Sequence, residues 1–397
     1  LVHPGLASGS QFIILEHSNM KKTFVAVAVL GAFAGSAMAA DVTLYGVIDT
    51  GLNYIHTNPA SGASTSKFSM ATGQTAGNRF GLKGTEDLGN GWKVGFILEN
   101  GFDADSGVLK SYKKDKDDNA VYDTLFGREA SLNVSSDFGK LTFGRTGALS
   151  SGLTSTDIVS GFMAFGTGWS QTSEIGHFGL GDRTRMNNTV TYQTPRFAGV
   201  RVSAQYSFQF VGQEATHTRQ NKRYAGLGVD YANGPFTAGL VVDTVLNANQ
   251  ASYYSNTTMV KSPNRNTEDT LGVTLGAAYD FEVAKVFGIA GYGKNENKIG
   301  ALSQKDTANE GVKGYWGQLG VTAPVAGGKV LASVSYSDAE DELDSDRDAK
   351  AWGVGLGYQY SLSKRTSLYT FAGYNEKKVS DAKTKETEVG LGICHNF

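Results

Sequence analysis

Apolar and polar residues alternate along most of this chain. In the segment GWKVGFILENGF, Trp92, Val94, Phe96 and Leu98 share one face of an extended chain, and the opposite face ends at Glu99. A period of two residues is that of a β-strand, whose successive side chains point to opposite faces. Helical periodicity is scarce after residue 40, so we predict an all-β chain.

Several other segments show the same alternation. They are residues 42–55, 78–87, 187–194, 201–210 and 270–280. Glycine is common inside them, and the whole chain contains 51 glycines. Interior glycine weakens an ordinary strand. In a wide barrel the missing side chain would keep the lumen open and ease curvature, so the composition favours a barrel.

The connections between predicted strands alternate between two lengths. Short, turn-rich connections lie at residues 87–91, 136–139, 195–199, 232–235, 280–283, 323–328 and 361–364. Long, polar connections lie near residues 56–77, 103–123, 147–184, 211–221, 246–267, 294–310, 338–348 and 375–385. Short periplasmic turns and longer extracellular loops are typical of outer-membrane barrels. These connections delimit sixteen strands, and we predict a 16-stranded antiparallel transmembrane β-barrel.

Two other fold classes fit the sequence pattern less well than the barrel. A secreted β-sandwich array does not need such a regular alternation of short and long connections. A soluble α/β enzyme is disfavoured because helical periodicity is scarce. The barrel is therefore the predicted fold.

The last residues, TEVGLGICHNF, form one more two-faced segment. Val389, Leu391, Ile393, His395 and Phe397 share one of its faces. A strand in lipid cannot leave its edge unpaired. We therefore predict that the last strand pairs with the first, near residues 42–55, and that the terminal aromatic side chain belongs to an aromatic girdle at the membrane interface.

Composition narrows the class of protein. No segment after residue 40 has the roughly 20 consecutive apolar residues of a membrane helix, and the mean hydropathy is −0.25. Barrel strands show only every second residue to lipid, so this low average agrees with a barrel. The single cysteine, Cys394, excludes a disulfide framework and a multi-cysteine metal site. The net charge of −2 gives no support for nucleic-acid binding, which would need a concentrated basic face. We expect no cofactor and no metal.

The start of the chain has the features of a secretory signal peptide. From Met20 the sequence runs MKKTFVAVAVLGAFAGSAMA, with two lysines, an apolar centre and a final Ala-Met-Ala. We expect residues 1–19 to be an upstream extension, 20–39 the signal peptide and 40–397 the barrel. A buried N-terminal helix is the alternative. Without Lys21, Lys22 and Glu16, the 36 basic and 38 acidic residues become 34 and 37, a net charge of −3.

Six stretches carry a family resemblance. They are VTLYGVIDTGLNY, NRFGLKGTEDLGNGWKVGF, LFGREASLNVSSDFGKLTFGRTG, NNTVTYQTPRFAGV, YQYSLSKRTSLYTFAGY and the final HNF. Through them, residues 41–397 resemble the general porins of Gram-negative outer membranes, in particular the betaproteobacterial type. The resemblance implies a homotrimeric, water-filled channel for passive diffusion of ions and small hydrophilic solutes across the cell outer membrane. It also implies that the barrel assembly machinery recognises Phe397 as an assembly signal.

The resemblance also implies a pore constriction. In the family, the third extracellular loop folds into the barrel and carries acids opposite a row of arginines on the wall. The corresponding loop here is residues 147–182, the longest one. Its apolar side chains need a surface to pack against, which the barrel wall would supply: Phe162, Met163, Phe165 and Trp169. Its acids are Asp157, Glu174 and Asp182.

Matching to the family motifs gives the wall residues of the constriction. They are Arg79, Arg128 and Arg185. Lys83 is added by alternation, and Arg145 because it ends the strand before the third loop. Alternation places Arg79 and Lys83 on the face opposite Phe80, towards the lumen. The face of Arg128 is less clear, because it shares its parity with apolar residues. Arg145 either lines the pore or holds the base of the loop.

Ion selectivity stays open at this stage. An eyelet dominated by arginine would favour anions, because charges at the narrowest point of a pore set its ion preference. The net charge of −3 and the acidic outer loops act in the opposite direction. The charged runs 110–119 and 338–350 are expected in external loops, the latter near lipopolysaccharide through divalent cations. Asp344, Asp346 and Asp348 have the spacing of a calcium loop but lack its glycine and distal glutamate.

Other functions were compared with the diffusion channel. An outer-membrane enzyme would need a histidine paired with a nucleophile or an acid. His56, His177, His217 and His395 lie in no such motif, so we expect no enzyme. A substrate-specific channel would present stacked aromatics along the lumen, whereas the aromatics here mostly share the apolar face. An adhesin or a purely structural barrel is the remaining alternative.

Overall fold

The computed structural model describes residues 41–110, 112–114, 120–122, 124–169, 183–210, 214, 221–246, 252–255, 258–261, 268–303 and 311–397. The predicted upstream extension and signal peptide lie outside these residues. Sixteen strands form the wall of a closed antiparallel barrel. In chain order they are β1 Asp41–Asn58, β2 Arg79–Gly89, β3 Trp92–Gly101, β4 Glu129–Ser136, β5 Gly139–Gly147, β6 Arg185–Gln193, β7 Val200–Ser207, β8 Arg223–Asn233, β9 Phe236–Leu246, β10 Leu271–Asp280, β11 Lys285–Glu296, β12 Val312–Val325, β13 Gly328–Asp341, β14 Asp348–Ser361, β15 Thr366–Val379 and β16 Ala382–Asn396.

The first and last strands close the barrel. β16 pairs with β1 from Val47↔Asn396 to Asn58↔Lys385, which confirms the predicted closure. Beyond the last strand, Phe397 and Gly46 exchange two backbone hydrogen bonds of 3.1 Å. The Phe397 ring lies over Gly46, where an added Cβ would be 2.3 Å from Phe397 Cζ. Glycine at this position leaves room for the terminal aromatic ring.

The two faces of the wall differ in polarity. Along β13, Val334 and Tyr336 are exposed outwards, whereas Ser333, Ser335 and Ser337 point inwards and are buried. The alternation therefore places apolar side chains on the outside and polar ones in the barrel interior, the arrangement that is typical of outer-membrane barrels. Within the described residues, no helix has the length and apolar character to span a bilayer.

The connections agree with the predicted alternation, with two corrections. All seven predicted turns join hairpins of the wall. The predicted loop 338–348 was too long, because β13 reaches Asp341 and β14 begins at Asp348. The predicted loop 375–385 was wrong, because only two residues separate β15 from β16. These polar segments continue the wall beyond the apolar belt, and polarity alone does not distinguish such a projecting strand from a loop.

Two predicted loops contain structure of their own. Within 56–77, the strand Thr65–Thr72 pairs with β1 beside the point where β2 begins. Within 294–310, a small hairpin pairs Lys298–Ile299 with Leu302–Ser303. Ile299 and Leu302 are at most 1% exposed, so this hairpin folds inwards. Two more hairpins form small sheets that are separate from the barrel sheet: Tyr112–Lys114 with Ala120–Tyr122, and Ser252–Ser255 with Thr258–Lys261.

Candidate functional site: the pore constriction

The constriction loop is defined here as residues 147–182. Its described part, which ends at Trp169, enters the barrel after β5. A 3₁₀ turn, Ser160–Phe162, directs the Phe162 ring onto Gly239 of β9 and Gly276 of β10. An added Cβ would lie 2.8 Å from this ring at the first glycine and 2.4 Å at the second. The ring is therefore in direct contact with backbone, which only glycine permits.

The same contact recurs along the inner wall. Ile158 lies on Gly228, where an added Cβ would be 2.3 Å from Ile158 Cδ1. Phe165 and Trp169 both lie on Gly357, at 2.9 Å and 3.1 Å from such a Cβ. The glycine wall is defined here as Gly228, Gly239, Gly276, Gly320 and Gly357. The predicted packing of the apolar loop residues against the barrel is confirmed, and these glycines accept side chains from the loop.

The far end of the described loop meets the first and last strands. The Trp169 ring lies 5.7 Å from Tyr369 and 6.2 Å from Phe371, centroid to centroid. The Trp169 backbone N–H donates to the Gln74 carbonyl. Gln74 Nε2 donates to the Tyr369 hydroxyl at 3.0 Å. The loop therefore spans the lumen from β5 to β15.

A buried carboxylate, Asp49, holds the segment that receives Trp169. Its side chain accepts hydrogen bonds from the backbone N–H groups of Thr75 and Ala76, at 2.7 Å and 2.9 Å. It also accepts from the Tyr369 hydroxyl at 2.5 Å. Asp49 is fully buried, and these donors compensate for its loss of water.

The near end of the loop is held by Glu129 of β4. Its carboxylate accepts from the Ser155 N–H at 3.1 Å and the Ser155 hydroxyl at 2.6 Å. Asp157 shapes the loop from within, because it accepts from the N–H groups of Gly152, at 2.8 Å, and Ser160, at 2.8 Å. Both acids therefore have structural partners in the loop.

Three predicted arginines line one cavity of about 720 Å³ between wall and loop: Arg79, Arg128 and Arg185. The Glu99 carboxylate lies beside two of them. Arg128 Nε is 2.6 Å from Glu99 Oε1, and Arg79 Nε is 3.6 Å from Glu99 Oε2. The Tyr45 hydroxyl donates to the same carboxylate at 3.0 Å. This cavity is called the eyelet below.

Arg185 completes the eyelet on the side of the loop. Its Nη2 lies 3.4 Å from the Leu153 carbonyl. Its Nε has no hydrogen-bond partner among the described residues. Leu153 and residues 165–168 of the loop line the same cavity. Arg79 and Arg128 thus share the Glu99 carboxylate, and Arg185 adds a third guanidinium group to the same cavity, so positive charge is in excess there.

The remaining charged lining of the eyelet is mixed in sign. It consists of Lys67, Lys110, Asp103, Asp105 and Glu388. Lys110 pairs with Asp103, and buried Glu388 accepts from the Asn53 amide. These groups add two positive and three negative charges, so the positive excess of the eyelet comes from its arginines.

Other predicted site residues lie elsewhere. Lys83 lies over the Tyr45 ring, 5.2 Å from its centroid, four residues closer to the periplasmic turn than Arg79. Arg145 is not brought into the eyelet; its Nε donates to the Gly127 carbonyl at 2.9 Å. Glu174 and Asp182 lie outside the described residues.

Comparisons with known proteins identify the family of the chain. The model of the Gram-negative porin family matches residues 26–380. The chain belongs to this family. It is 34% identical over 424 residues to an outer membrane porin of Bordetella pertussis, and this alignment covers 95% of the chain and 100% of the relative. It is 32% identical over 404 residues, with the same coverage, to outer membrane porin protein 32 of Delftia acidovorans.

A solved structure extends the comparison. The anion-selective porin from Comamonas acidovorans aligns with a TM-score of 0.60 and 27% identity, over 90% of this chain and 100% of that one. From its family and its relatives, the chain described here is located in the outer membrane of a Gram-negative bacterium, as predicted. Its relatives are porins, which are channels.

Three acids that hold the porin's site were not among the predicted site residues. Alternation could have identified Glu99 and Glu129, because each lies at one end of the inward face of a strand. Asp49 shows the same signal in the first strand. The face of Arg128 was not clear from parity, because Arg128 precedes β4 and its guanidinium turns towards Glu99.

Proposed function

We propose that this porin is a passive diffusion channel whose narrowest section is the eyelet between the constriction loop and the wall arginines, and that it favours small anions. The observation that carries the proposal is that three guanidinium groups line one cavity, and that two of them share a single carboxylate, Glu99. Charged side chains at the narrowest point set ion preference, because permeating ions lose part of their water there. Anions are attracted into such a field and cations are repelled.

Charges elsewhere act more weakly on the permeating ion. The net charge of −3 expected after signal-peptide removal includes many acids in the outer connections. Salt screens exposed charges over about 8–10 Å, so distant acids contribute little at the eyelet. The relative from Comamonas acidovorans is described as anion-selective, which agrees with this assignment.

The test is a reversal-potential measurement on a triple variant. Arg79→Gln/Arg128→Gln/Arg185→Gln should move the reversal potential in a salt gradient towards the cation value. A matched control is Lys378→Gln/Lys383→Gln/Lys385→Gln, which removes the same charge from the end of the barrel where β15 and β16 are connected. If the eyelet variant and the control have the same reversal potential as the unaltered porin, the arginine eyelet is refuted.

We further propose that the porin assembles as a homotrimer. The strand Thr65–Thr72 pairs only with β1 among the described residues, and its Phe68 and Met70 side chains are 70% and 56% exposed. An open sheet edge is not tolerated in lipid, so protein from a neighbouring copy is the expected cover. Phe68→Ser/Met70→Ser should convert trimer to monomer in native gels, unlike Leu343→Ser in an outer connection. Unchanged trimer would argue against this interface.

Lipopolysaccharide is the proposed partner of the outer rim. Lys313 pairs with Glu340 at 3.1 Å and Lys350 with Asp338 at 3.5 Å, beside a cleft of about 420 Å³ that Tyr315 also lines. Tyrosine belts mark the membrane interface, and lysines just beyond them attract anionic headgroups. Lys313→Glu/Lys350→Glu should reduce the lipopolysaccharide that copurifies with the porin; an unchanged amount would contradict the assignment.

Export and assembly are proposed to use the two ends of the chain. Cleavage after Ala39 would leave Ala40 as the first residue, which N-terminal sequencing can check. Recognition of Phe397 by the barrel assembly machinery predicts that its deletion lowers the amount of folded porin in the outer membrane. An equal amount would show that Phe397 is not an assembly signal.

A further inference from the structure

A buried ion cluster lies where the constriction loop returns to the wall. Arg183, two residues before Arg185, has a side chain that is only 2% exposed. Its Nε donates to Asp243 Oδ1 at 2.8 Å, and its Nη1 donates to Glu296 Oε2 at 2.6 Å. Asp243 belongs to β9 and Glu296 ends β11, and β10 lies between them. One guanidinium group therefore connects the returning loop to two strands that do not pair.

The same carboxylate holds the outgoing limb of the loop. Ser150 Oγ donates to Asp243 Oδ2 at 2.7 Å, and the Tyr224 hydroxyl donates to this oxygen at 3.0 Å. Ser150 follows β5 by three residues, whereas Arg183 precedes β6. Ser150, near the start of the loop, and Arg183, the first described residue after it, consequently both bind Asp243, which is 3% exposed.

The charge balance of this cluster depends on Arg183. Burial alone lowers the pKa of its guanidinium, but the charges of Asp243 and Glu296 outweigh burial and raise the pKa above its ordinary value. The group therefore stays protonated. Without it, the buried carboxylates of Asp243 and Glu296 would lose their shared positive partner, which is strongly unfavourable. The Arg183 fork matches two carboxylates at once, a geometry that lysine cannot reproduce.

We propose that Arg183 is a positioning residue for the eyelet: by fixing both limbs of the constriction loop to Asp243 and Glu296, it sets the position of Arg185 and so the preference for anions. The proposal rests on the proposed function. The Arg185 backbone is set by the pairing of β6 with β5, opposite Gly147, but its guanidinium has one weak hydrogen bond, to the Leu153 carbonyl. Leu153 lies three residues after Ser150, so the direction of the Arg185 side chain depends on the part of the loop that the Arg183–Asp243 cluster holds.

The test is a double-mutant cycle read out as reversal potential in planar bilayers with a KCl gradient. It compares the unaltered porin with Arg183→Met, Arg185→Gln and the double variant. Each single change should shift the reversal potential towards the potassium value. The double variant should shift it no further than Arg185→Gln alone, because residues that act through one another are not additive. Arg183→Lys should give an intermediate shift.

Controls separate positioning from general damage. Arg196→Met removes an Arg–Asp pair at the periplasmic end of the wall and should leave the reversal potential unchanged. Ser150→Ala keeps every charge, loosens only the outgoing limb and should give a small shift of the same sign. If Arg183→Met does not yield a folded, heat-modifiable barrel, Ser150→Ala and Arg183→Lys are used for the test instead.

The outcomes distinguish the two proposals. If Arg185→Gln shifts the reversal potential but neither Arg183 variant nor Ser150→Ala does, the positioning role is overturned. Additive shifts in the double variant overturn it as well. If Arg185→Gln itself has no effect, the proposed anion preference of the eyelet is wrong instead.

Discussion

Two sides of the lumen differ in how they contact the constriction loop. The glycine wall, on β8, β9, β10, β12 and β14, has no side chains at the positions where the loop lies and receives its apolar groups. The arginine wall, defined as Arg79, Arg128 and Arg185, keeps its side chains extended into a cavity of about 720 Å³. The loop adheres to one wall and leaves open space in front of the other.

This difference separates position from selectivity. Burial of apolar side chains is non-directional and gains free energy in proportion to the area removed from water, so it can hold a long loop against a surface without charged groups. The charged groups are then free to face the permeating solute. We expect changes in the glycine wall to alter where the loop lies, and changes in the arginine wall to alter which ions pass.

The largest expected effect comes from removing the central apolar contact. Phe162→Ala deletes a ring that is 4% exposed and lies on Gly239 and Gly276. Truncation of a buried phenylalanine costs about 3–5 kcal/mol, here from docking of the loop. Open-channel current noise should therefore rise strongly, and liposome swelling should admit larger neutral sugars. A variant with the noise and size limit of the unaltered porin would show that apolar packing does not hold the loop.

A smaller effect is expected from filling one glycine contact. In Gly276→Ala the new Cβ would lie 2.4 Å from the Phe162 ring, and overpacking typically costs about 1–3 kcal/mol. Gly161→Ala is the matched control, because nothing lies within 4 Å of a Cβ there. Current noise should rise in the first variant and not in the second. Equal noise in both would contradict the role of the glycine wall.

The smallest effect on loop docking, and a clear one on selectivity, is expected from single arginine changes. Arg185→Gln should shift the reversal potential towards the cation value, because Arg185 lines the eyelet. Arg145→Gln should leave it nearly unchanged, because that guanidinium lies outside the eyelet and bonds to the Gly127 carbonyl. Noise should stay low in both. Equal shifts from the two variants would contradict the proposed boundary of the eyelet.

The wall could be predicted from local sequence because its physics is local. Alternation alone assigns the inward face of residues such as Arg79 and Glu99, and closure follows from the need to pair the edge of the last strand. The two wrong loop lengths, near 338–348 and 375–385, arose because polar residues occur both in loops and in strands that project beyond the apolar belt.

The internal ties of the site could not be predicted in this way. Arg183 and Asp243 are 60 residues apart in the chain, and Asp49 and Tyr369 are 320 residues apart. Such pairs depend on how far the wall curves and where the loop crosses it, which alternation does not contain. The glycine wall has the same origin: the sequence shows many glycines in strands, but only the path of the loop shows which of them accept a side chain.

The most direct test of the account is single-channel recording of the purified, unaltered porin in a planar bilayer with a KCl gradient. We predict conductance steps in groups of three and a reversal potential with the sign of the chloride equilibrium potential. A reversal potential with the sign of the potassium equilibrium potential would contradict an eyelet governed by Arg79, Arg128 and Arg185.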